Sequence, residues 1–376
     1  MKKKMIGRVS AMAVAGTMMF GGMQIPAMAA TGDNVVQFKK VLEMQNAQGA
    51  SVPNVTYTYT IAAGTGIGAT ANSPEVKAGV GTPTIADVTY AKGDSITKNA
   101  KTDQDEVIKN VSITFPAGTF TAPGIYRYVI TESANTTTGS TETNADITDV
   151  DSNTRYLDVY VVNDTDGGYK IDASVFTETA VTPTFDKDTK QPTYGGKNSD
   201  ITDAYSTYEL SLDKVVEGNM GNKDQLFNFT INFSGPANTS FTFGDQQVDL
   251  DAQGNGSVNL QLADGTAIAE ITGIPSDVTY TVTENLSSSE GYDTTFAVKR
   301  GTGASQSIAK DTTASTSEKV TATSQTMTKA DNAVVVTNTK RTVSPTGIML
   351  SVTPYALLAG LASALGALFF RRKKLS

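Results

Sequence analysis

The sequence predicts an all-β protein made of two tandem β-sandwich domains that lie between two end segments of different character. Between the ends, short runs rich in Thr, Val, Tyr and Ile alternate apolar and polar residues, as at positions 55–61 and 126–132. This period of two is typical of half-buried strands. Gly, Pro, Asn and Asp separate the runs, which favours a sandwich of many short strands. The length suits two domains of ordinary size.

Residues 1–29 have the three parts of a secretory signal peptide. Met1 is followed by three lysines, a mostly apolar run covers residues 11–23, and Ala27-Met28-Ala29 supplies small residues for cleavage. The apolar run is too short for a good membrane span. We therefore expect an exported protein, cut after Ala29 or one residue later.

Two units of similar organisation follow, which we place at residues 30–204 and 205–342. Each opens with a strand that carries a lysine, contains a later strand that ends in Thr-Glu, and closes with a strand that carries a short acid or amide. These residues are Lys40, Glu132 and Asp203 in the first unit, and Lys214, Glu284 and Asn338 in the second. The spacings differ between the units, so the loops are expected to differ.

The three marked side chains of each unit are expected to point into the core. Residues two apart on a strand share a face. Lys40 therefore shares a face with Phe38, and Asn338 shares a face with Val336. Because burial of an unpaired charge is costly, two such clusters call for a chemical purpose.

An intramolecular isopeptide bond in each unit would supply that purpose. Desolvation lowers the pKa of a buried lysine and makes the neutral amine available as a nucleophile. It raises the pKa of a buried glutamic acid, which can then hydrogen-bond to the Asx carbonyl, polarise it and carry protons. Attack by the amine releases ammonia from Asn or water from Asp. Contact between the groups supplies the high effective concentration that amide formation needs.

The composition excludes several other classes of function. Histidine, cysteine and tryptophan are absent. Without His and Cys, the common catalytic triads and the usual zinc or transition-metal ligands cannot form, so we expect no metal, no cofactor and no enzyme acting on other molecules. The two ends carry eight of the 30 Lys and Arg residues, which leaves 22 against 38 Asp and Glu in the mature chain. So acidic a surface disfavours nucleic-acid binding.

Residues 343–376 resemble a sortase sorting signal. Val343-Ser344-Pro345-Thr346-Gly347 precedes an apolar stretch at 348–370, which is long enough to span a bilayer, and a tail of four basic residues. Only Pro-Thr-Gly matches the usual Leu-Pro-x-Thr-Gly form, but the segment resembles the Val-Pro-Thr-Gly variant of streptococcal pilins. The resemblance implies transient membrane anchoring, cleavage between Thr346 and Gly347, and transfer of the Thr346 carbonyl to an amine.

The chain between the two ends resembles the two-domain major pilins of streptococci, with their pilin isopeptide-linkage domains. The resemblance rests on residues 123–132, 210–218, 280–284 and 336–338. It implies domains of the Ig-like, collagen-adhesin B-type fold, each with a Lys–Asn bond and a catalytic glutamate.

Carried over residue by residue, the resemblance assigns a complete set to the second domain and an altered set to the first. Lys214, Asn338 and Glu284 fit the pattern. In the first domain Lys40 and Glu132 fit, but Asp203 stands where Asn is expected. Lys–Asp bonds occur in related collagen-adhesin domains. Asn198 is the alternative acceptor and Lys39 the alternative nucleophile, although Lys39 should point to the polar face.

The partner for Thr346 is expected to be a lysine of the next subunit. In the pilin family the linking lysine lies shortly before the last strand of the first domain. Lys197 is nearest to that position here, although the proline that follows the family's lysine is missing, and Lys187 and Lys190 are alternatives.

These features together predict a shaft subunit of a sortase-assembled, covalent cell-surface pilus, with bonds that close its own domains as the only chemistry it catalyses. The alternative is a wall-anchored adhesin, or a tip or base pilin, that binds a host ligand. The expected partners are a class C-type pilin sortase, identical subunits, accessory pilins and, for final anchoring, peptidoglycan.

Overall fold

The structure is a computed structural model that describes residues 34–45, 47–137, 143–266, 269–286, 290–311, 319–321 and 324–341. These residues form strands, turns and loops and contain no α-helix, so the prediction of an all-β fold is confirmed. Across the described ranges there is accordingly no helix that is long and apolar enough to cross a membrane. The predicted signal peptide, the Pro345-Thr346-Gly347 motif and the apolar segment 348–370 lie outside these residues.

Among the described residues, sixteen strands form the first sandwich and the small sheets attached to it. They are β1 Val35–Gln45, β2 Val55–Tyr57, β3 Tyr59–Ala63, β4 Val76–Ala78, β5 Thr84–Ile85, β6 Val88–Tyr90, β7 Thr97–Lys98, β8 Asp105–Thr114, β9 Gly124–Glu132, β10 Thr136–Thr137, β11 Ile147–Asp149, β12 Thr154–Asn163, β13 Tyr169–Thr177, β14 Thr184–Phe185, β15 Pro192–Thr193 and β16 Asp200–Ser206. One main sheet has the order β11-β16-β1-β8-β5, with β7 paired to β8, and the facing sheet has the order β13-β12-β9-β3, with β4 paired to β9. The small sheets β10-β2-β6 and β14-β15 complete the unit.

In the part of the chain from Tyr208 to Thr339 that the structure describes, twelve strands form the second sandwich. They are β17 Tyr208–Glu217, β18 Phe227–Ser234, β19 Ser240–Phe243, β20 Gln246–Asp249, β21 Asn255–Leu262, β22 Ala269–Ile274, β23 Thr279–Asn285, β24 Asp293–Arg300, β25 Gln306–Asp311, β26 Lys319–Thr321, β27 Gln325–Thr326 and β28 Asn332–Thr339. Its two sheets have the orders β20-β19-β22-β17-β28-β24-β25 and β21-β18-β23-β26, with β27 paired to β23.

One predicted strand, residues 55–61, is two strands in the structure. Val55–Tyr57 and Tyr59–Ala63 belong to different sheets, because the first piece pairs with β6 and β10 and the second pairs with β9. The chain changes sheet at Thr58, whose carbonyl accepts a hydrogen bond from the Ser133 amide at 2.9 Å. The alternation in the sequence continues through the break, so alternation alone could not reveal it.

The first and last strands of each sandwich lie side by side and parallel. β1 pairs with β16 in the first sandwich, and β17 pairs with β28 in the second. The inner faces of these strands join two separate hydrophobic cores, one formed by residues between Val36 and Tyr205 and the other by residues between Leu210 and Val336. Strands far apart in sequence therefore become neighbours, which brings distant side chains together inside each core.

The two sandwiches also contact each other directly. The Ser51 amide donates to the Ser240 carbonyl at 2.9 Å, and the Ser240 amide donates to the Ser51 hydroxyl at 3.0 Å. Asp146 Oδ2 accepts a hydrogen bond of 2.8 Å from the Ser276 amide. A short connection at Thr207 joins β16 to β17. The boundary predicted from the sequence lies just before Tyr205, but the side chain of Tyr205 packs in the first core.

Candidate functional site: a buried lysine cluster in each sandwich

The first cluster lies between the parallel strands β1 and β16 and the end of β9. Lys40, on β1, places Nζ 2.7 Å from Oε1 of Glu132 and 2.9 Å from Oδ1 of Asp203. Lys40 and Asp203 have no solvent exposure, and Glu132 is 5% exposed. The three residues predicted from the sequence therefore meet in one buried site.

Aromatic side chains from β2, β3 and β6 surround this cluster. The Tyr57 ring lies under the amine, with Lys40 Nζ 4.1 Å from its centroid. Tyr57 and Tyr59 are buried, and burial, together with the nearby carboxyls of Asp203 and Glu132 respectively, raises the pKa of each phenol well above its ordinary value. A phenol with so high a pKa stays protonated, so these hydroxyls face the carboxyls as neutral groups.

Burial raises the pKa values of both carboxyls in the first cluster, which favours their protonated forms. It raises the pKa of Glu132 to about 7, against the opposing attraction of Lys40. It also raises the pKa of Asp203, again against Lys40. Lys40 Nζ and the Tyr57 hydroxyl lie beside Asp203, but among the described residues neither oxygen of Asp203 has a hydrogen bond of good geometry. The pair is thus in contact, and its charged form is poorly stabilised.

The second cluster has the same arrangement of strands. Lys214 on β17 places Nζ 3.1 Å from Oε1 of Glu284, at the end of β23. The same Glu284 oxygen accepts a hydrogen bond of 2.8 Å from Nδ2 of Asn338 on β28. Lys214 Nζ also lies 3.4 Å from the Val336 carbonyl oxygen and 4.4 Å from the centroid of the Phe227 ring. All three predicted residues are buried together.

The ionisable pair of the second cluster is shifted toward its neutral form. Burial lowers the pKa of Lys214 to about 8, although Glu284 acts in the opposite direction. Burial raises the pKa of Glu284, against the attraction of Lys214. A neutral amine beside a protonated carboxyl is the state that nucleophilic attack on an amide requires.

The amide of Asn338 is oriented differently from the sequence expectation. We expected the glutamate to meet the acceptor carbonyl, but Glu284 contacts the amide nitrogen instead. The carbonyl oxygen Oδ1 accepts a hydrogen bond of 2.7 Å from the hydroxyl of Thr294, a buried residue on β24. Sequence reasoning missed Thr294. The sequence does place Thr294 on the same strand face as the apolar Phe296 and Val298, which indicates that its side chain is buried.

Both clusters use the same register between first and last strands. Lys40 pairs with Ile201 and Asp203 follows two residues later, just as Lys214 pairs with Val336 and Asn338 follows two residues later. Two residues along a strand return the side chain to the same face. The register therefore favours Asp203 as the counterpart of Asn338.

The two alternative residues of the first site lie elsewhere. Asn198 precedes β16 and is partly exposed, and its Nδ2 donates to Glu178 Oε1 at 2.6 Å. Lys39 is partly exposed and lies between the buried Phe38 and Lys40 on β1, so its side chain points to the opposite face. Neither side chain is in the cluster that Lys40 forms.

The three candidate linking lysines lie on the segment before β16. Lys197 is exposed and its backbone forms an isolated bridge with Thr177 at the edge of the sheet. Lys187 and Lys190 are also exposed and lie on the turn between β14 and β15. The amine of Lys190 donates to the Lys187 carbonyl at 2.7 Å. Lys197 therefore presents its amine from a position that the sheet holds in place.

The fold and the two sites together define a class of protein. It is a tandem β-sandwich protein in which a buried Lys–Glu–Asx cluster lies between the first and last strands of each sandwich. Residues 208–340 match the family model described as Domain of unknown function (DUF7601). The chain is 28% identical to a protein named Pilin from Streptococcus pyogenes serotype M1, over 94% of this chain and 97% of that protein.

Solved structures show the same fold over most of the chain. The crystal structure of the major pilin from Streptococcus pyogenes matches with a TM-score of 0.57 at 22% identity, covering 83% of this chain and 100% of the pilin. The major pilin protein T3.2 from S. pyogenes serotype GAS13637 matches with a TM-score of 0.56 at 24% identity, covering 82% and 99%. The resemblance to streptococcal pilins that the sequence predicted is therefore confirmed.

Proposed function

We propose that this chain is a shaft subunit of a sortase-assembled pilus, and that an intramolecular isopeptide bond closes each of its two sandwiches. The observation that carries the proposal is the duplicated cluster, in which a buried lysine contacts a buried glutamate and a buried Asx side chain lies at the same strand register. The Asx side chain contacts the lysine in the first cluster and the glutamate in the second. The pilin relative, similar over nearly the whole chain, supports the same assignment.

In the second sandwich, the neutral amine of Lys214 attacks Cγ of Asn338. A C–N bond forms, the bond from Cγ to Nδ2 breaks, and ammonia leaves. Oε1 of Glu284 lies within 3.1 Å of the attacking nitrogen and 2.8 Å of the leaving nitrogen, so it can take a proton from one and give it to the other. In the first sandwich, the neutral amine of Lys40 attacks Cγ of the protonated Asp203 and a C–N bond forms. Glu132 carries a proton from the amine to the Asp203 hydroxyl, the Cγ–O bond breaks, and water leaves.

These bonds replace disulfides in a chain that has no cysteine. A cross-link between the first and last strands restricts the conformations of the unfolded domain. In the chain-entropy account, this raises the free energy of unfolding by roughly 4–5 kcal/mol for loops of this length. Unlike a disulfide, an amide is not opened by reduction. The sequence predicts domains at residues 30–204 and 205–342, and we place the boundary between them at the Thr207 connection, where the core changes.

Polymerisation joins Thr346 of one subunit to Lys197 of the next. A pilin sortase cuts after Thr346 and transfers its carbonyl to the exposed Lys197 amine. Accessory pilins and peptidoglycan are the further partners, and the cell surface is the site of assembly, reached through the signal peptide at residues 1–29. The chain itself is a structural substrate of the sortase, and its own catalysis is confined to the two internal bonds.

Coexpression with a class C-type pilin sortase tests this function. The native chain should give a ladder of covalent multimers on denaturing gels, and Lys197→Ala should abolish it. Lys187→Ala is the matched control and should leave the ladder intact. Antibodies to the chain should label filaments along their length. Monomers alone from the native chain, or label confined to filament tips, would contradict a shaft role, and a ladder in Lys197→Ala would move the link to another lysine.

A further inference from the structure

Thr294 occupies a distinctive place beside the acceptor of the second sandwich. It lies directly opposite Asn338 in the antiparallel pairing of β24 with β28. Its side chain is buried, and its hydroxyl donates a hydrogen bond of 2.7 Å to Oδ1 of Asn338. Both polar groups are buried, and a hydrogen bond in a low-dielectric interior is electrostatically stronger than one exposed to water.

The acceptor amide is held at both of its polar atoms. Thr294 holds the carbonyl oxygen, and Glu284 accepts from the amide nitrogen at 2.8 Å. The carbonyl oxygen becomes an oxyanion when an amine adds to the carbon, and a fixed donor at that oxygen lowers the energy of the transition state. Glu284 is on the nitrogen side and therefore cannot serve this oxygen in the same arrangement.

We propose that Thr294 is a catalytic residue for isopeptide formation in the second sandwich, where its hydroxyl polarises the Asn338 carbonyl and stabilises the oxyanion. The proposal rests on the isopeptide chemistry proposed above and assigns a second catalytic group to it.

The step balances with the groups present. Nζ of Lys214 adds to Cγ of Asn338, and the carbonyl electron pair moves onto Oδ1, where the Thr294 hydroxyl donates to it. Glu284 gives its proton to Nδ2 and takes the proton that Nζ loses, so it is protonated again at the end. Collapse of the oxyanion re-forms the carbonyl and expels ammonia. Thr294 keeps its proton throughout and is unchanged at the end.

In the first sandwich the strand position opposite the acceptor holds no hydroxyl. The residue opposite its acceptor Asp203 is Asp149, on β11, which is exposed and whose Oδ2 accepts a hydrogen bond of 2.9 Å from Asn153. A carboxyl at that position offers no hydroxyl donor in its ionised form. A need for Thr294 is therefore specific to the second sandwich, and the first sandwich serves as a control within the same molecule.

The test is the rate of ammonia loss, followed by intact mass after timed cell-free synthesis of the full chain. Thr294→Val keeps the shape and removes the hydroxyl, and ammonia loss should slow by about 100-fold, as expected for loss of one oxyanion donor. Thr294→Ser keeps the hydroxyl and should stay within a few-fold of the native rate. Thr294→Ala is a second hydroxyl-free variant, so that the result does not depend on how well valine packs.

Water loss from the first sandwich, measured on the same molecules, should be unchanged and reports correct folding of the chain. Native-rate ammonia loss in Thr294→Val or Thr294→Ala would overturn the role of Thr294 and leave the isopeptide proposal standing. A native chain that never loses ammonia would overturn both proposals.

Discussion

The two buried clusters share a backbone frame and differ in chemistry. In each, a lysine on the first strand contacts a glutamate on the facing sheet, and the acceptor lies two residues beyond the lysine's partner on the last strand. The proposed acceptor is Asp203 in the first cluster and Asn338 in the second. The first lysine packs on the Tyr57 ring, whereas the second packs on Phe227.

Under the proposed chemistry, the same backbone frame serves two different leaving groups. An acid acceptor must be protonated before water can leave, and the first site is lined by buried carboxyls whose pKa values are raised. An amide acceptor needs no such protonation, but its carbonyl benefits from a donor, which Thr294 supplies. The strands set the geometry, and the neighbouring side chains set the chemistry.

The largest expected difference between the sites is mechanical. If subunits are joined from Lys197 to Thr346, the covalent path under load runs through β16, β17, the Lys214–Asn338 bond and β28. It bypasses most of the first sandwich, because Lys197 lies just before β16. Only the second bond then prevents extension of the shaft.

Single-molecule pulling between Lys197 and the carboxyl end of β28 measures this difference. Glu284→Gln, which removes the proton carrier, should release the segment between Lys214 and Asn338, a gain of roughly 400 Å at full extension. Glu132→Gln is the matched control and should give no comparable gain. Equal extension in both variants would contradict this load path.

The identity of the leaving group is the next difference. Asp203→Asn should make the first site resemble the second, so that the chain loses a second ammonia in place of water. Intact mass distinguishes the two outcomes, and Asp203→Ala should lose only the ammonia of the second site. Asn198→Ala is the control and should match the native mass change. A missing condensation in Asn198→Ala would transfer the acceptor role to Asn198.

The two sites should also respond to pH in opposite directions. The neutral fraction of Lys214 increases as pH rises through its pKa of about 8, so ammonia loss should accelerate between pH 6 and 8. The protonated fraction of Glu132 decreases as pH rises through about 7, and Asp203 also reacts as the acid, so water loss should slow over the same interval. Timed intact masses at several pH values measure both rates in one sample. Parallel pH profiles would show that the same group limits both reactions.

The smallest expected effect concerns the phenols of the first site. Tyr57→Phe removes the hydroxyl beside Asp203 and makes the ring resemble Phe227, so water loss should slow by several-fold, because a neutral polar contact to the acceptor is lost. Tyr59→Phe is the control, since Tyr59 lies beside Glu132 instead. Faster water loss in Tyr57→Phe would mean that the hydroxyl holds Asp203 back.

Alternation along single strands predicted that the lysine, glutamate and Asx residues of both units lie on apolar faces, but it left Asn198 open as an alternative to Asp203. Lys40, Glu284 and Asn338 lie on apolar faces in the sequence, and all are buried in the structure. Thr294 was not predicted, because its role depends on which strand lies beside β28. Sheet neighbours far apart in sequence are fixed by topology and register, which a single sequence does not encode locally.

A second limit of alternation is visible at Arg127. It lies between the core residues Tyr126 and Tyr128, on the face that alternation assigns to solvent, yet it is buried and forms an ion pair of 2.7 Å with Asp158. The segment before β16 covers this face, and Arg127 donates to the Val181 carbonyl at 2.6 Å while Tyr194 donates to Asp158 at 2.9 Å. Coverage by a long loop leaves no periodic signal in the strand beneath it.

Intact mass of the purified chain, followed by mapping of its cross-linked peptides, tests the central claim most directly. We expect a chain lighter than its sequence by one water and one ammonia, with peptides joined from Lys40 to Asp203 and from Lys214 to Asn338. A mass equal to that of the uncondensed sequence, with Lys40 and Lys214 recovered in linear peptides, would contradict the account.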